Sequence, residues 1–280
     1  MTAVPVPARS DAPIGVFDSG VGGLSVLRAL REELPREHFV YLADSGHAPY
    51  GERDATFIVQ RSHAIVDYLV ANHRIKAMVV ACNTATAAAI GGLRQTYRSI
   101  PLVGIEPALK PAVADSITGT IGVVATRSTL QSEKFNALLV ALHGQATFIL
   151  QPCDGLVRAI ENGDAIKIRA LCDHYTGVMG KFGFNSGEMD TLVLGCTHYP
   201  FVTAELRHCI GDQVVFLEGG APVARQTRRL LEAARLRRPD GVCPPARQTE
   251  FFTTGKAWAL REAVSRWLLL DTTVGEVDVR

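Results

Sequence analysis

The fold of this chain is decided by two matching stretches of sequence, Ala77-Met78-Val79-Val80-Ala81-Cys82-Asn83-Thr84 and Thr191-Leu192-Val193-Leu194-Gly195-Cys196-Thr197-His198. In each, an apolar run of strand length ends at a cysteine, and polar side chains follow where the chain turns. One such cysteine is compatible with simple packing. A matched pair instead predicts one sulfur on either side of a substrate, a geometry that removes a proton from one face of a carbon and delivers one to the other.

Apolar runs and helical patterns alternate along the rest of the chain. We predict strands at residues 14–17, 39–43, 77–81, 102–105, 120–125, 147–150, 191–194, 214–217 and 249–252. Helical patterns between them include residues 24–33, 55–72, 129–142, 166–182, 222–236 and 256–269. This alternation predicts mainly parallel sheets covered by helices, with ligands bound beyond the carboxyl ends of the strands.

A weak internal repeat indicates how the chain is divided. Ile14-Gly15-Val16-Phe17-Asp18-Ser19 is similar to Ile121-Gly122-Val123-Val124-Ala125-Thr126, and the two cysteines follow in the same order. We therefore predict two similar α/β domains that face each other in a pseudo-twofold arrangement, with the active site in the cleft between them. The predicted boundaries are a flexible tail at residues 1–13, a first domain of residues 14–105 plus 214–280, and a second domain of residues 106–213.

Composition excludes several classes of function. The formal net charge of +1 gives no general attraction to nucleic acid or to an anionic membrane surface. No apolar run reaches the roughly 18 residues of a membrane helix, and we expect a cytoplasmic protein. The six cysteines include no Cys-x-x-Cys pair, so we expect no zinc knuckle and mostly reduced thiols.

Polar residues near the two cysteines are candidates for chemistry. A thiol used as a base needs help to ionise, which Asp18 at the end of the first strand and His198 after Cys196 are placed to give. Asn83, Thr84 and Thr197 are placed to bind an anion at a helix start. For each of these residues an ordinary capping or structural role remains an alternative.

Two glycine-containing turns have other interpretations. The turn Gly20-Val21-Gly22-Gly23-Leu24-Ser25 follows a strand and precedes Asp44, as in a dinucleotide-binding fingerprint. Ser25 replaces the third glycine, however, and Asp18 adds a negative charge where a pyrophosphate would bind. The turn Pro49-Tyr50-Gly51 offers a side chain and a backbone group to a ligand, or is a surface turn.

Five motifs in order resemble the glutamate racemases of the cofactor-independent aspartate/glutamate racemase superfamily, over residues 14–267. They are Phe17-Asp18-Ser19-Gly20-Val21-Gly22-Gly23-Leu24-Ser25, Ala48-Pro49-Tyr50-Gly51, Ala81-Cys82-Asn83-Thr84-Ala85-Thr86-Ala87, Gly104-Ile105-Glu106-Pro107-Ala108 and Leu194-Gly195-Cys196-Thr197-His198-Tyr199-Pro200-Phe201.

The resemblance implies an isomerase that interconverts L- and D-glutamate without metal, pyridoxal phosphate or any other cofactor, and supplies D-glutamate for peptidoglycan, cell-wall biogenesis and cell shape. It implies that Cys82 and Cys196 are the acid/base residues, assisted by Asp18, His198 and Glu161. Implied substrate contacts are Asp18, Ser19, Tyr50, Gly51, Asn83, Thr84, Thr126, Thr197 and His198. It leaves the oligomeric state open, with a homodimer as one option.

Four alternatives make different predictions. Aspartate racemase differs by one substrate methylene, which is worth only about 1–3 kcal/mol and is not visible in sequence periodicity. A non-catalytic nucleotide-binding module would be indifferent to loss of either cysteine. A cysteine hydrolase would need only one of the two, and a pyridoxal-dependent racemase would need an essential lysine.

Overall fold

The computed structural model describes residues 9–239 and 248–280, and the chain divides into two compact units. Unit 1 comprises Met1–Ile105 together with Gly220–Arg280, and unit 2 comprises Glu106–Gly219. Residues 1–8 of the predicted tail and Cys243 lie outside the described ranges. Within those ranges, no helix combines the length and apolar character needed to cross a membrane.

Unit 1 contains a six-stranded sheet of order β10-β9-β2-β1-β3-β4, in which all neighbouring strands are parallel. Its strands are β1 (Ile14–Asp18), β2 (Phe39–Ala43), β3 (Ala77–Val80), β4 (Leu102–Gly104), β9 (Thr249–Thr253) and β10 (Val274–Glu276). Its helices are α1 (Leu24–Glu33), α2 (Ala55–His73), α3 (Asn83–Thr96), α10 (Gly220–Ala233) and α11 (Ala257–Leu268), with 3₁₀ helices at Ser45–His47 and Tyr50–Glu52.

Unit 2 contains a four-stranded parallel sheet of order β6-β5-β7-β8. Its strands are β5 (Thr120–Ala125), β6 (Thr147–Pro152), β7 (Thr191–Leu194) and β8 (Val215–Leu217). Its helices are α4 (Leu109–Asp115), α5 (Arg127–Gln131), α6 (Glu133–Ala141), α7 (Leu156–Glu161), α8 (Ala165–Met179) and α9 (Thr203–Ile210), with a 3₁₀ helix at Tyr199–Val202. The predicted α/β class with mainly parallel sheets is confirmed.

The central strands are buried on both faces because helices cover each side of the sheets. In unit 1, α1 packs against α10 and α11, while α2 packs against α3. In unit 2, Val123 and Val193 enter one apolar core, while Val124 and Leu194 enter another. Successive side chains of a strand point to opposite faces, so a strand covered on both sides must be apolar throughout.

Strand order changes direction at one place in each sheet. In unit 1, β1 lies between β2 and β3, and in unit 2, β5 lies between β6 and β7. In each unit, the second strand therefore lies on one side of the first strand, and the third strand lies on its other side. Such a switch point opens a crevice beyond the carboxyl ends of the two strands, where open α/β sheets bind ligands.

Three features of the fold differ from those expected from the sequence: a domain boundary, a helix and a strand. The predicted return to the first domain at Val214 is too early, because β8 pairs with β7 in the second sheet and the division falls at Gly220. The helix predicted at residues 129–142 is two helices, because Ser132 has an extended backbone and its Oγ caps α6 by accepting from the Phe135 N–H. Strand β10 was not predicted.

Part of the segment expected to be a loose tail is bound to unit 1. Lys76 Nζ donates to the carbonyl of Ser10 at 2.5 Å, and the Lys76 N–H donates to the carbonyl of Pro13 at 2.9 Å. Arg238 also donates to the carbonyl of Asp11. Residues 10–13 are therefore held against unit 1 and do not form a loose tail.

Candidate active site

The crevice of unit 1 contains Cys82 in a chain of polar contacts that leads to a buried carboxylate. Asp18 ends β1, and Cys82 follows the neighbouring strand β3. The Cys82 thiol donates to Ser19 Oγ over 3.6 Å, and Ser19 Oγ donates to Asp18 Oδ1 over 3.3 Å. All three side chains are buried. The Asp18 carboxylate can thus draw a proton away from the thiol through one hydroxyl group.

Cys82 also benefits from its place at the start of a helix. It is the N-cap of α3, and its Sγ accepts from the Ala85 N–H at 3.4 Å. A helix N-terminus stabilises negative charge, and thiols in this position ionise more readily than free cysteine. The neighbouring turn requires glycine, because a Cβ on Gly23 would lie 2.6 Å from the Asp18 Cβ. This close approach fixes Asp18 beneath the turn.

The first two residues of α3 complete the polar lining of this crevice. Asn83 and Thr84 are both buried, as expected for residues that bind a small ligand in a crevice. The Asn83 Oδ1 atom has no hydrogen-bond partner among the described residues. Buried acceptors are nearly always satisfied, so this oxygen is suited to a donor supplied by a ligand.

The crevice of unit 2 contains a second chain from cysteine to carboxylate, built from different residues. Cys196 follows β7, and its Sγ lies 3.7 Å from His198 Nδ1. His198 Nε2 lies 2.6 Å from Glu161 Oε1 at the end of α7. The His198 side chain is 3% exposed and that of Glu161 is 18% exposed. This thiol–imidazole–carboxylate order is that of an activated nucleophile or base.

His198 carries the clearest electrostatic signal in unit 2. Burial alone would lower the pKa of its imidazole, but hydrogen bonds to Cys196 and Glu161, together with the charges of those groups, raise this pKa well above its usual value. His198 therefore lies where it can exchange a proton with Cys196, while Glu161 holds the imidazole in place.

Two threonines of unit 2 lie beside this cysteine in the fold. Thr126 directly follows β5, the strand next to β7, and caps α5 by accepting from the Thr129 N–H at 3.2 Å. Thr197 is buried directly after Cys196. A Cβ on Gly195 would lie 2.9 Å from the Ala125 Cβ, so glycine lets the ends of the two strands meet.

The third sequence-predicted contact region, Tyr50 and Gly51, lies in the 3₁₀ helix Tyr50–Glu52. Tyr50 is buried in the same apolar core as Cys82. Burial, followed by the charges of Asp44 and Cys82, raises the pKa of the Tyr50 phenol, which therefore stays neutral. Its hydroxyl donates to Asp44 Oδ2 at 2.5 Å and is therefore already bonded within unit 1.

The dinucleotide-binding alternative is contradicted by these contacts. In such a fingerprint the acidic residue corresponding to Asp44 binds a ribose hydroxyl. Here Asp44 is fully buried and accepts hydrogen bonds from Tyr50, Arg61 and Thr254. It is therefore directed into the protein. Sequence reasoning did not identify Arg61 or Thr254, because only the packing of α2 and the end of β9 against β2 brings them to Asp44.

The described cysteines, Cys82, Cys153, Cys172, Cys196 and Cys209, are free thiols. Within the described ranges, no group of three or more His, Cys, Asp or Glu side chains has the arrangement of a metal site.

Each of the two α/β units thus has a cysteine at the strand-order switch point of its own sheet, with a carboxylate one side chain away from the thiol. The chain belongs to the Asp/Glu/Hydantoin racemase family, whose family model matches residues 14–227. Among curated relatives, it is 46% identical over 252 residues to the glutamate racemase of Pseudomonas syringae pv. tomato, covering 89% of this chain and 88% of the relative. It is 44% identical over 278 residues to that of Pseudomonas paraeruginosa, covering 97% and 100%.

Solved structures give the same result. A glutamate racemase isoform of Bacillus anthracis matches with a TM-score of 0.84 and 31% identity, over 97% of this chain and 99% of that one. The Escherichia coli glutamate racemase, in complex with L-glutamate and the activator UDP-MurNAc-Ala, matches with a TM-score of 0.80 and 30% identity, over 96% and 99%. The prediction of an isomerase that acts as an amino-acid racemase, with glutamate as the main interpretation, is thus confirmed.

Proposed function

We propose that this protein interconverts L- and D-glutamate by a two-base mechanism in which Cys82 and Cys196 exchange protons with the α-carbon. The observation that carries the proposal is that each cysteine lies at the switch point of its own sheet and is connected to a buried carboxylate through one side chain. Simple packing would not require two such chains. Relatives named glutamate racemase, one of them crystallised with L-glutamate, support the choice of substrate.

The two relays explain how a thiol can act as a base. A free thiol has a pKa of about 8.5, so little thiolate is present at neutral pH. Asp18, acting through Ser19, and His198, paired with Glu161, are each placed to accept the proton that the adjacent cysteine gives up. For turnover, one cysteine must begin as a thiolate and the other as a thiol. Inversion transfers a proton from substrate to the first sulfur and from the second sulfur to substrate, so the two states are exchanged after each turnover.

The direction of each step follows from the resemblance of the two motifs to their family. We assign Cys82 to removal of the α-proton from D-glutamate and Cys196 to removal from L-glutamate. Positioned acid/base groups contribute about 10²- to 10⁴-fold in rate. The developing negative charge on the substrate carboxylate needs donors, which we assign to the Ser19 N–H and to the hydroxyls and N–H groups of Thr84, Thr126 and Thr197. Such donors contribute about 3–4 kcal/mol each in a dry site.

The remaining substrate contacts follow from polarity. The buried Asn83 Oδ1, which has no partner among the described residues, is suited to accept from the substrate α-ammonium group. Tyr50 and Gly51 contribute to one wall of the pocket in unit 1. The chemistry uses no metal, pyridoxal phosphate or other cofactor in this proposal. The biological role is the supply of D-glutamate for peptidoglycan, and thus for cell-wall biogenesis and cell shape, in the cytoplasm.

The decisive experiment replaces each cysteine separately. Cys82→Ser and Cys196→Ser should each abolish racemisation of both enantiomers, measured by circular dichroism, while the far-ultraviolet spectrum stays that of a folded protein. Cys209→Ser is the matched control, because Cys209 is a half-exposed thiol on α9 and should be dispensable. Wild-type activity in either active-site variant would refute the two-base assignment.

Isotope exchange separates this mechanism from its alternatives. In deuterated water, the wild-type enzyme should place deuterium at the α-carbon of the inverted product first, because a different cysteine returns the proton. Activity should survive dialysis against a chelator. Aspartate, which is one methylene shorter, serves as the competing substrate, and light scattering of the same sample tests for a homodimer. Deuterium appearing equally early in unreacted substrate would indicate one base and overturn the assignment.

A further inference from the structure

The carboxylate of Asp44 is the centre of a buried polar cluster that none of the catalytic steps uses. Asp44 directly follows β2 and is fully buried. Its Oδ1 accepts from Arg61 at 2.9 Å and from Thr254 at 2.7 Å, and its Oδ2 accepts from Tyr50 at 2.5 Å and from Arg61 at 3.1 Å. Burial alone would raise the pKa of Asp44, but hydrogen bonds from Arg61, Tyr50 and Thr254 hold it below its ordinary value. This carboxylate is therefore ionised and fully bonded.

Arg61 connects this cluster to residues near the end of the sequence. Its Nε and one terminal nitrogen bind Asp44, while the other terminal nitrogen donates to the carbonyl of Val279 at 2.6 Å. Residues 277–279 are held in place a second time, because the Val277 N–H donates to the carbonyl of Thr253 at 2.9 Å. Only a guanidinium has the planar set of donors that makes these bonds together.

Tyr50 is held in place by this cluster and by the aromatic rings around it. Its hydroxyl is fixed by Asp44, and its ring lies 6.4 Å from the rings of both Phe17 and Phe57. Val279 and Cys82 belong to the same apolar core as Tyr50. Residue 279, distant from Tyr50 in sequence, thus shares both a polar network and a packed core with the residue that forms part of the proposed substrate pocket.

We propose that Arg61 is a positioning residue that links residues 277–279, through Asp44, to Tyr50, so that substrate affinity depends on the docking of these residues. The inference rests on the proposed function, because it assigns Tyr50 to the glutamate site. Val279 and Arg280 differ in their exposure to solvent. Val279 is buried, whereas Arg280 projects outward and pairs with Asp278.

The test compares Arg61→Lys with a chain shortened after Asp278. Lysine keeps the positive charge beside Asp44, but its single ammonium nitrogen cannot reach both carboxylate oxygens and the Val279 carbonyl together, as the three nitrogens of Arg61 do. The shortened chain keeps Arg61 and removes that carbonyl. In both variants we expect KM for L- and D-glutamate to rise about tenfold with a smaller change in kcat, because the substrate contact is displaced and the thiols are intact.

Two controls separate positioning from simple stability. Val279→Ala keeps the carbonyl and trims the buried side chain, so it should lower the melting temperature and raise KM less than the shortened chain does. Arg280→Ala should change neither quantity. If the shortened chain fails to fold, Arg61→Lys decides.

Three results would count against the inference. A folded Arg61→Lys protein with wild-type KM would overturn it, as would a KM increase in Val279→Ala equal to that in the shortened chain. Wild-type protein that does not racemise glutamate would instead overturn the proposed function, and this inference with it.

Discussion

Replacement of Glu161 by glutamine tests the relay of unit 2 most directly. The change keeps the size of the side chain and removes the negative charge 2.6 Å from His198 Nε2. A hydrogen bond to a charged group contributes about 1.5–3 kcal/mol, and both side chains are buried enough for that range to apply. Since each 1.36 kcal/mol is tenfold in rate, kcat/KM should fall by about 10- to 150-fold.

The two directions of the reaction provide an internal check on this prediction. Enantiomers have equal free energies in water, so kcat/KM must fall by the same factor for L- and D-glutamate. The assay follows loss of optical rotation from each enantiomer. The α-deuterated enantiomers then report which step has slowed: the isotope effect should grow for the direction in which Cys196 removes the proton. Glu133→Gln, an exposed charge change at the start of α6, is the matched control.

The pH profile of Glu161→Gln gives a second measurement with a defined sign. In the wild-type protein, the pKa of His198 is raised well above its usual value, with Glu161 among the causes. Stability gained from the charged imidazole is complete below the unfolded-state pKa of about 6.5 and is lost as pH rises through the folded-state pKa. The difference in the free energy of unfolding between the wild-type protein and Glu161→Gln should therefore become smaller at alkaline pH. Unchanged kcat/KM, together with an unchanged pH profile, would refute the role assigned to Glu161.

Three further predictions concern the framework that supports the site. Gly195→Ala should lower both activity and stability, by about 1–3 kcal/mol in the free energy of unfolding, because the added methyl meets Ala125; a fully active variant would show that the strand ends can separate. Asp190→Asn should destabilise by about 1–3 kcal/mol at neutral pH, because Asp190 accepts from Ser116, Ile117, Thr118 and Thr191. Burial raises the pKa of Asp190, but these hydrogen bonds hold it below its usual value. The difference in the free energy of unfolding between the wild-type protein and Asp190→Asn, measured by urea titration, should therefore disappear as pH falls through that pKa. A difference that stays constant with pH would contradict this prediction. Lys76→Met should lower the free energy of unfolding by about 3–5 kcal/mol, measured with urea, because the buried Glu37 carboxylate loses the charge partner that lies 2.5 Å away. A loss below about 1 kcal/mol would contradict this and show that water or Arg238 compensates.

Much of the site could be predicted because its key residues follow strands. Cys82, Cys196 and Asp18 each come at or after the end of an apolar run, and parallel strands bring such ends to one edge of a sheet. Glu161 was reached only through family resemblance, since α7 is short and nothing in its pattern indicates His198. The break at Ser132 did carry a signal, because serine is a preferred N-cap within an otherwise continuous helical pattern.

Other features depend on packing that no local pattern reports. Arg61 lies in the helical pattern of α2 with no feature that marks it as a partner of Asp44 or of Val279. Strand β10 has only three residues and includes Gly275, so it lacks the apolar alternation of a strand. It is a strand because it pairs in parallel with β9. Both features are long-range consequences of how the end of the sequence returns to unit 1.

The error at Val214 shows that the internal repeat extends further than its sequence similarity. The orders β2-β1-β3-β4 and β6-β5-β7-β8 match strand for strand, so β8 is the counterpart of β4. The chain therefore crosses between the units after these fourth strands: it enters unit 2 after β4 and returns to unit 1 after β8. The same correspondence pairs Asp18 of β1 with Ala125 of β5, which has no carboxylate. Unit 2 must then obtain its carboxylate from elsewhere, and Glu161 provides it through His198. The two thiols are thus placed by one topology but contact different polar groups, so in the proposed mechanism each relay can be disabled separately.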